Sequence, residues 1–319
     1  MKRNHFKRFA CAATAAAICA GAVFAFAGCT TKHPEITVTY TFNGTDYAVA
    51  YRLSRNDAPR TVQHFIEVAD TGFYDGMCVH DYGDSKIHTG GYTLENGALV
   101  EKDYFSAMKA AEEEGTKFSQ SVWANGNDVV SSSPVFTTAD DTMTPLYTVY
   151  GEFSNNGNNL THARENVHEF GALVMYYNAE KQPENGANPP RVTTLRNDGG
   201  KNNGGDKYDK DKSYVYNSAT SLFYTFTGQS NATLDSQYCV FGKVTDAGSK
   251  KLQELIDAID KYQDDLSEDA AFTDTTLIGP SEYLQYEPIE RIKTSGLNAE
   301  YETPVDVPIL IKSVKVNKY

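Results

Sequence analysis

Cysteine, histidine and clustered carboxylates are the side chains of this 319-residue chain that could carry covalent, acid–base or metal chemistry. Their spacing rules most of it out. Of the five cysteines, Cys11 and Cys19 lie in an apolar leader. Cys78 and Cys239 have no C-x-x-C or Cys/His arrangement at metal spacing, so a zinc site is not expected. If the chain is exported the two could pair, but the favoured reading is two buried free thiols on strands. Asp206, Asp209 and Asp211 cluster, yet they lack the glycine and the closing glutamate of an EF-hand loop. His88 has no partner at a useful spacing, and His162 and His168 read as surface residues. No nucleophile–base motif supports a hydrolase. No cofactor and no metal are expected.

Cys29 has a clearer reading. Lys2, Arg3, Lys7 and Arg8 form a positive start, an Ala-rich uncharged stretch runs to Gly28, and Phe26-Ala27-Gly28-Cys29 follows. This is the pattern of an export signal over residues 1–28, to be set aside before the fold is considered. The two small residues before Cys29 resemble a bacterial lipobox, which implies that the cysteine thiol is lipidated and begins the mature chain. An uncleaved membrane anchor and plain secretion are the other readings. Removing residues 1–28 leaves 25 basic against 42 acidic side chains, a net charge of −17 at pH 7. Such a surface repels nucleic acid and gains nothing from anionic headgroups. Acyl chains must therefore hold the protein at the membrane, in an extracytoplasmic, lipid-anchored location. A monomer is expected.

Any chemistry must be positioned by strands more than helices. The chain has 21 tyrosines and one tryptophan, Trp123, and aromatics suit a pleated surface. After a tether over 29–35, Ile36, Val38 and Tyr40 alternate, and so do Tyr47, Val49, Tyr51 and Leu53. Asn43-Gly44 between them predicts a hairpin. Asp57 is expected to cap a helix with Pro59 in its first turn and with Val62, Phe65, Ile66 and Ala69 on its apolar face. Asp103 is expected to cap a short helix through Ala111. A further amphipathic helix carries Leu252, Leu255, Ile256 and Ile259. Strands are predicted near 77–80, 86–89, 171–177, 221–226, 238–244 and 307–316. Residues 180–212 are dense in Asn and Gly without apolar period and read as a mobile loop; 263–304 read as a polar connection. The order fits one α+β domain over 36–319, with insertions at about 93–147, 180–212 and 263–304.

Segments spread along that domain resemble the cyclophilin family of peptidyl-prolyl isomerases. Ala58-Pro59-Arg60-Thr61-Val62-Gln63-His64-Phe65 is similar to its first-helix signature. Gly72-Phe73-Tyr74-Asp75-Gly76 with Val79-His80 is similar to its G.YDG..FHR, and Gly90-Gly91 to its QGGD. Gly151-Glu152-Phe153, Gly171-Ala172-Leu173-Val174-Met175, Ser218-Ala219-Thr220-Ser221-Leu222-Phe223-Tyr224 and Val240-Phe241-Gly242-Lys243-Val244 follow in the family's order. The resemblance implies a mainly β fold: an eight-stranded antiparallel barrel capped by two helices, at about 59–70 and 248–262. Its interior is packed by side chains, and its ligand groove lies on the outside.

The family's activity is rotation about Xaa-Pro bonds, a barrier of about 18–20 kcal/mol. It needs a proline pocket and an arginine that donates to the twisted amide. The resemblance places that arginine at Asp81, which when ionised donates no hydrogen bond. Lys86 falls on the pocket phenylalanine and is a possible substitute donor. Ile87, Thr89, Tyr224 and Tyr238 fall on the family's Met, Gln, second Phe and groove His. Leu234 is kept, and Tyr176, followed by Tyr177, narrows the groove. His80 corresponds to a buried structural histidine. The expected function is therefore binding of proline-containing segments of exported proteins, with weak or no catalysis. An active foldase is one alternative. The other is a catalytically dead scaffold that binds a partner through its insertions.

Overall fold

The computed structural model describes residues 33–55, 57–116, 121–124, 127–130, 151–156, 167–179, 191–195, 208–213, 216–267, 270–279 and 299–319. Residues 1–28, Cys29 and most of the tether lie outside them.

The chain opens with β1 (Glu35–Phe42) and β2 (Thr45–Leu53), then α1 (Pro59–Asp70) and the short β3 (Asp81–Gly83) and β4 (Lys86–Thr89). A hairpin of β5 (Tyr92–Glu95) and β6 (Ala98–Glu101) leads to α2 (Tyr104–Glu113) and to the pair β7 (Ser121–Ala124) and β8 (Asn127–Val130). β9 (Ala172–Ala179), β10 (Arg191–Leu195), β11 (Tyr208–Ser213), β12 (Tyr216–Phe226) and β13 (Cys239–Val244) follow. α3 (Asp246–Asp264), β14 (Thr273–Ile278), β15 (Ala299–Pro304) and β16 (Leu310–Lys318) complete the order.

Eight strands form one curled antiparallel sheet in the order β16-β1-β2-β13-β9-β12-β4-β3. The residues just before β3 bring its two edges together. Val79 donates its N–H to the Ile309 carbonyl at 2.8 Å, and Ile311 donates to Met77 at 2.7 Å. Burial alternates strictly along β1, as the period of two requires. The β1–β2 turn uses positive φ at Asn43 and Gly44, the geometry that suits the strands' right-handed twist.

Phe65 of α1 reaches into the main core, its ring centroid 5.1 Å from Phe223 and 5.0 Å from Phe241. Tyr40 and Tyr51 are buried there as well. Their hydroxyls share Thr225 Oγ1 at 3.2 and 2.8 Å, which satisfies two polar groups that burial would otherwise make costly. This is the cyclophilin-like architecture that the resemblance implies, with a third helix, α2, among the described residues.

Three local expectations change. Asp57 does not cap α1: Ala58 is the N-cap, and Asp57 accepts from Ser54 Oγ at 3.0 Å instead. The first turn is satisfied from a distance by Glu152, whose two oxygens accept the N–H groups of Arg60 (3.2 Å) and Thr61 (2.9 Å). Within 180–212, β10 and β11 pair as a two-stranded sheet where a loop was expected. The β-branched run Val192-Thr193-Thr194 favours extended backbone more than the Asn/Gly density around it suggested. Within 263–304, β14 and β15 form a hairpin in full register from Thr273↔Pro304 to Ile278↔Ala299. Asp103 does cap α2, accepting from Ser106 N at 2.8 Å. Cys78 and Cys239 are free and buried, and burial pushes the Cys78 thiol up to about 12.

Candidate functional site: the outer aromatic face

A two-residue turn at Asp84 and Ser85, both with positive φ, joins β3 to β4 and sets the register Asp81↔His88, Tyr82↔Ile87, Gly83↔Lys86. β4 then pairs with β12 through Tyr224↔His88 and Phe226↔Lys86. Because side chains alternate across a sheet, neighbouring positions part company. Ile87 enters the main core with Phe223, while Tyr224 packs with Tyr176 and Tyr301 in a second cluster on the opposite face.

The expected groove residues are therefore not one surface. Ile87 is buried in the core and faces away from Tyr224. Thr89 is buried too, and its hydroxyl donates to the Cys78 carbonyl at 2.8 Å. Tyr176 and Tyr224 do share the outer face, but at 1% and 0% exposure neither is open to a ligand. Leu234, Tyr238 and Lys86 are half-buried at its rim. Lys86 Nζ lies 5.5 Å from the centroid of the Tyr224 ring, within reach of a cation–π contact.

Asp81 is almost fully buried. One carboxylate oxygen accepts the backbone N–H of Glu302 at 3.0 Å, and the other stands 3.8 Å from His88 Nδ1. His80, next to it, is buried as the resemblance implies. Its ring centroid is 4.2 Å from His88, 4.6 Å from Tyr92 and 4.7 Å from Tyr301. His88 in turn stacks on Tyr176 with centroids 3.8 Å apart. β15 covers this edge: Tyr301 is fully buried among these rings, and the Thr303 hydroxyl donates to the His80 carbonyl at 2.9 Å.

Sequence reasoning placed His168 on the surface, and the structure buries it completely. Asp235 Oδ1 accepts the His168 backbone N–H and lies 3.1 Å from His168 Nδ1. His168 Nε2 lies 2.9 Å from the Tyr224 hydroxyl. Burial lowers the His168 pKa, and the Asp235 carboxylate opposes that shift. The result is a closed Asp235–His168–Tyr224 line that orients the tyrosine. The Asp81–His88 pairing was missed as well, although the two-residue turn that creates it lay in the sequence at Asp84-Ser85.

Chemically, the face offers aromatic surface, a buried carboxylate acceptor and a rim ammonium. It places no guanidinium at the Asp81 position. Of the Asp206, Asp209 and Asp211 cluster, Asp206 lies outside the described residues, and Asp209 and Asp211 are described only as positions of the β11 backbone. The fold and this face define a cyclophilin-like barrel whose outer face is filled.

No family model and no curated protein matches the chain. Among solved structures it is similar to a cyclophilin-type peptidyl-prolyl cis-trans isomerase of Cryptosporidium parvum, at TM-score 0.36 and 12% identity over 90% of this chain and 99% of that one. It is also similar to the structure of that type of isomerase from the same organism in the presence of the dipeptide Ala-Pro, at TM-score 0.34 and 12% identity over 89% and 99%.

Proposed function

We propose that this protein is an extracytoplasmic, lipid-anchored binding module on a cyclophilin-like barrel, without effective prolyl isomerase activity. The observation that carries the reading is Asp81. At the position where the family resemblance requires an arginine donor stands a buried carboxylate already engaged by the Glu302 N–H. A carboxylate donates nothing to a twisted amide and repels its oxygen. Loss of one such donor is worth about 3 kcal/mol, roughly a hundredfold in rate. The burial of Tyr176 and Tyr224 supports the same reading, because a proline ring has no room where those side chains lie.

Binding of proline-containing segments falls to the rim, where Lys86, Leu234 and Tyr238 remain half-exposed. Lys86 also favours a second reading, an active foldase in which its ammonium replaces the guanidinium. A flexible stem holds that charge less firmly than a planar fork does. A protease-coupled prolyl isomerisation assay on the chain from residue 30 onward tests the proposal: no acceleration is expected.

A further inference from the structure

We infer that the β14–β15 hairpin is a tethered occupant of the outer face, and that the surface beneath β15 is a displaceable binding site for an extended segment of the pattern Tyr-x-Thr-Pro. The inference rests on reading that face as the barrel's former peptide face.

Four observations carry it. β15 lies along β3, the edge strand of the sheet, but does not join its ladder; it pairs only with β14 among the described strands. Edge strands are where an added segment docks. The polar attachment includes the Glu302 N–H on Asp81 and the Thr303 hydroxyl on the His80 carbonyl. The first contact can be made by the backbone N–H of any extended segment, whereas the second needs a Ser or Thr hydroxyl two residues after the tyrosine.

Tyr301 is the largest side chain on the buried face of β15, where Ala299, Thr303 and Pro304 are buried as well. Tyr301 fills a socket built from the rings of His80, His88 and Tyr92, at centroid distances of 4.7, 5.9 and 5.9 Å. No residue of the outer strand β14 is fully buried and its Leu277 is 60% exposed, so the pair is held chiefly by the buried face of β15 and by Phe272, which enters the main core just before β14. The segment that fits is thus specified: tyrosine for the socket, an amide donor one residue on for Asp81, then the Thr303–Pro304 pair against His80.

The Glu302 N–H points at Asp81 and hence away from β14. Glu302→Pro removes that donor and spares the β14 backbone ladder, while also deleting the carboxylate that accepts from the Thr273 and Thr275 hydroxyls at 3.4 and 3.1 Å. Tyr301→Ala empties the socket by a separate route. The experiment measures fluorescence anisotropy of a labelled peptide reproducing residues 299–305 against the chain from residue 30 onward. Both variants should bind it, and the wild type should bind at least about tenfold more weakly, because its own hairpin competes at high effective concentration. A peptide with alanine in place of the tyrosine should not bind. Variants that stay folded by circular dichroism yet ignore the peptide would overturn the inference, and so would equal binding by the wild type.

Hydrogen exchange on the wild type decides the matter if both variants unfold. The amides of 299–304 should exchange through local opening, at least about tenfold faster than those of β1 and β2; exchange in step with β1 and β2 overturns the proposal. Isomerase activity gained by Glu302→Pro would leave the tethered occupant standing and instead contradict the inactive reading of the face.

Discussion

The Asp81 carboxylate accepts the backbone N–H of Glu302 at 3.0 Å, joining β3 to a hairpin 221 residues further along the chain. The bond turns a position that the resemblance marks as catalytic into a structural fastening. Asp81→Asn keeps an acceptor oxygen and should cost under about 1 kcal/mol in urea denaturation. Asp81→Arg should cost about 3 kcal/mol or more, since it strands the Glu302 N–H and buries a cation beside His80 and His88. Arginine should also fail to restore isomerase rate. A stable, active Asp81→Arg protein would show that the groove is open and only the donor was lost.

Glu152 should make stability depend on pH in an unusual direction. Burial raises its pKa from 4.5 to about 7, against the N–H groups of Thr61 and Arg60 and the Arg60 charge. A carboxyl whose folded pKa lies above its unfolded value stabilises fully below the unfolded pKa. That contribution fades as pH rises through about 7. The wild type should thus lose up to roughly 3 kcal/mol between pH 4.5 and 7.5 relative to Glu152→Gln. Parallel stability curves for the two proteins across that range would contradict the assignment.

Much of the fold was legible because its signals are local. Period-two alternation placed β1 and β2, Pro59 and the Val62–Phe65–Ile66–Ala69 face placed α1, and Asp103 placed α2. Glu152 was invisible as a cap because it lies some 90 positions beyond the turn it satisfies, and no spacing rule reaches that far. The site was harder than the fold. Asp81, Ile87 and Thr89 were carried over by motif, but a motif does not say which face of a strand a side chain takes. The turn at Asp84-Ser85 did say it, since a two-residue hairpin opposes Asp81 to His88 and sends Ile87 the other way. The alternation Glu300-Tyr301-Glu302-Thr303 likewise marked a strand with one buried face, hidden within a segment whose overall composition is polar.

His168 sits between Asp235 and Tyr224, and both of its ring nitrogens are engaged. Tyr224→Phe deletes the hydroxyl and leaves Nε2 buried without that neighbour. The expected loss is about 1–2 kcal/mol in chemical denaturation. A neutral substitution would indicate that the Asp235 contact alone holds the imidazole.

The proposed lipid anchor makes a prediction at Cys29. On that proposal Cys29→Ser should release the protein from the membrane fraction or stall processing at residue 29, because a chain without residues 1–28 carries a net charge of −17 and is too acidic to hold on by charge. Unchanged membrane retention and unchanged size would speak for an uncleaved anchor.

The most direct test of the central claim is the rate of Xaa-Pro isomerisation in a protease-coupled assay, with the chain from residue 30 onward as the added protein. The buried Asp81, the filled Tyr176–Tyr224 face and the missing guanidinium predict a rate indistinguishable from the uncatalysed one. Acceleration matching an ordinary cyclophilin, above all if abolished by Lys86→Ala, would contradict the account.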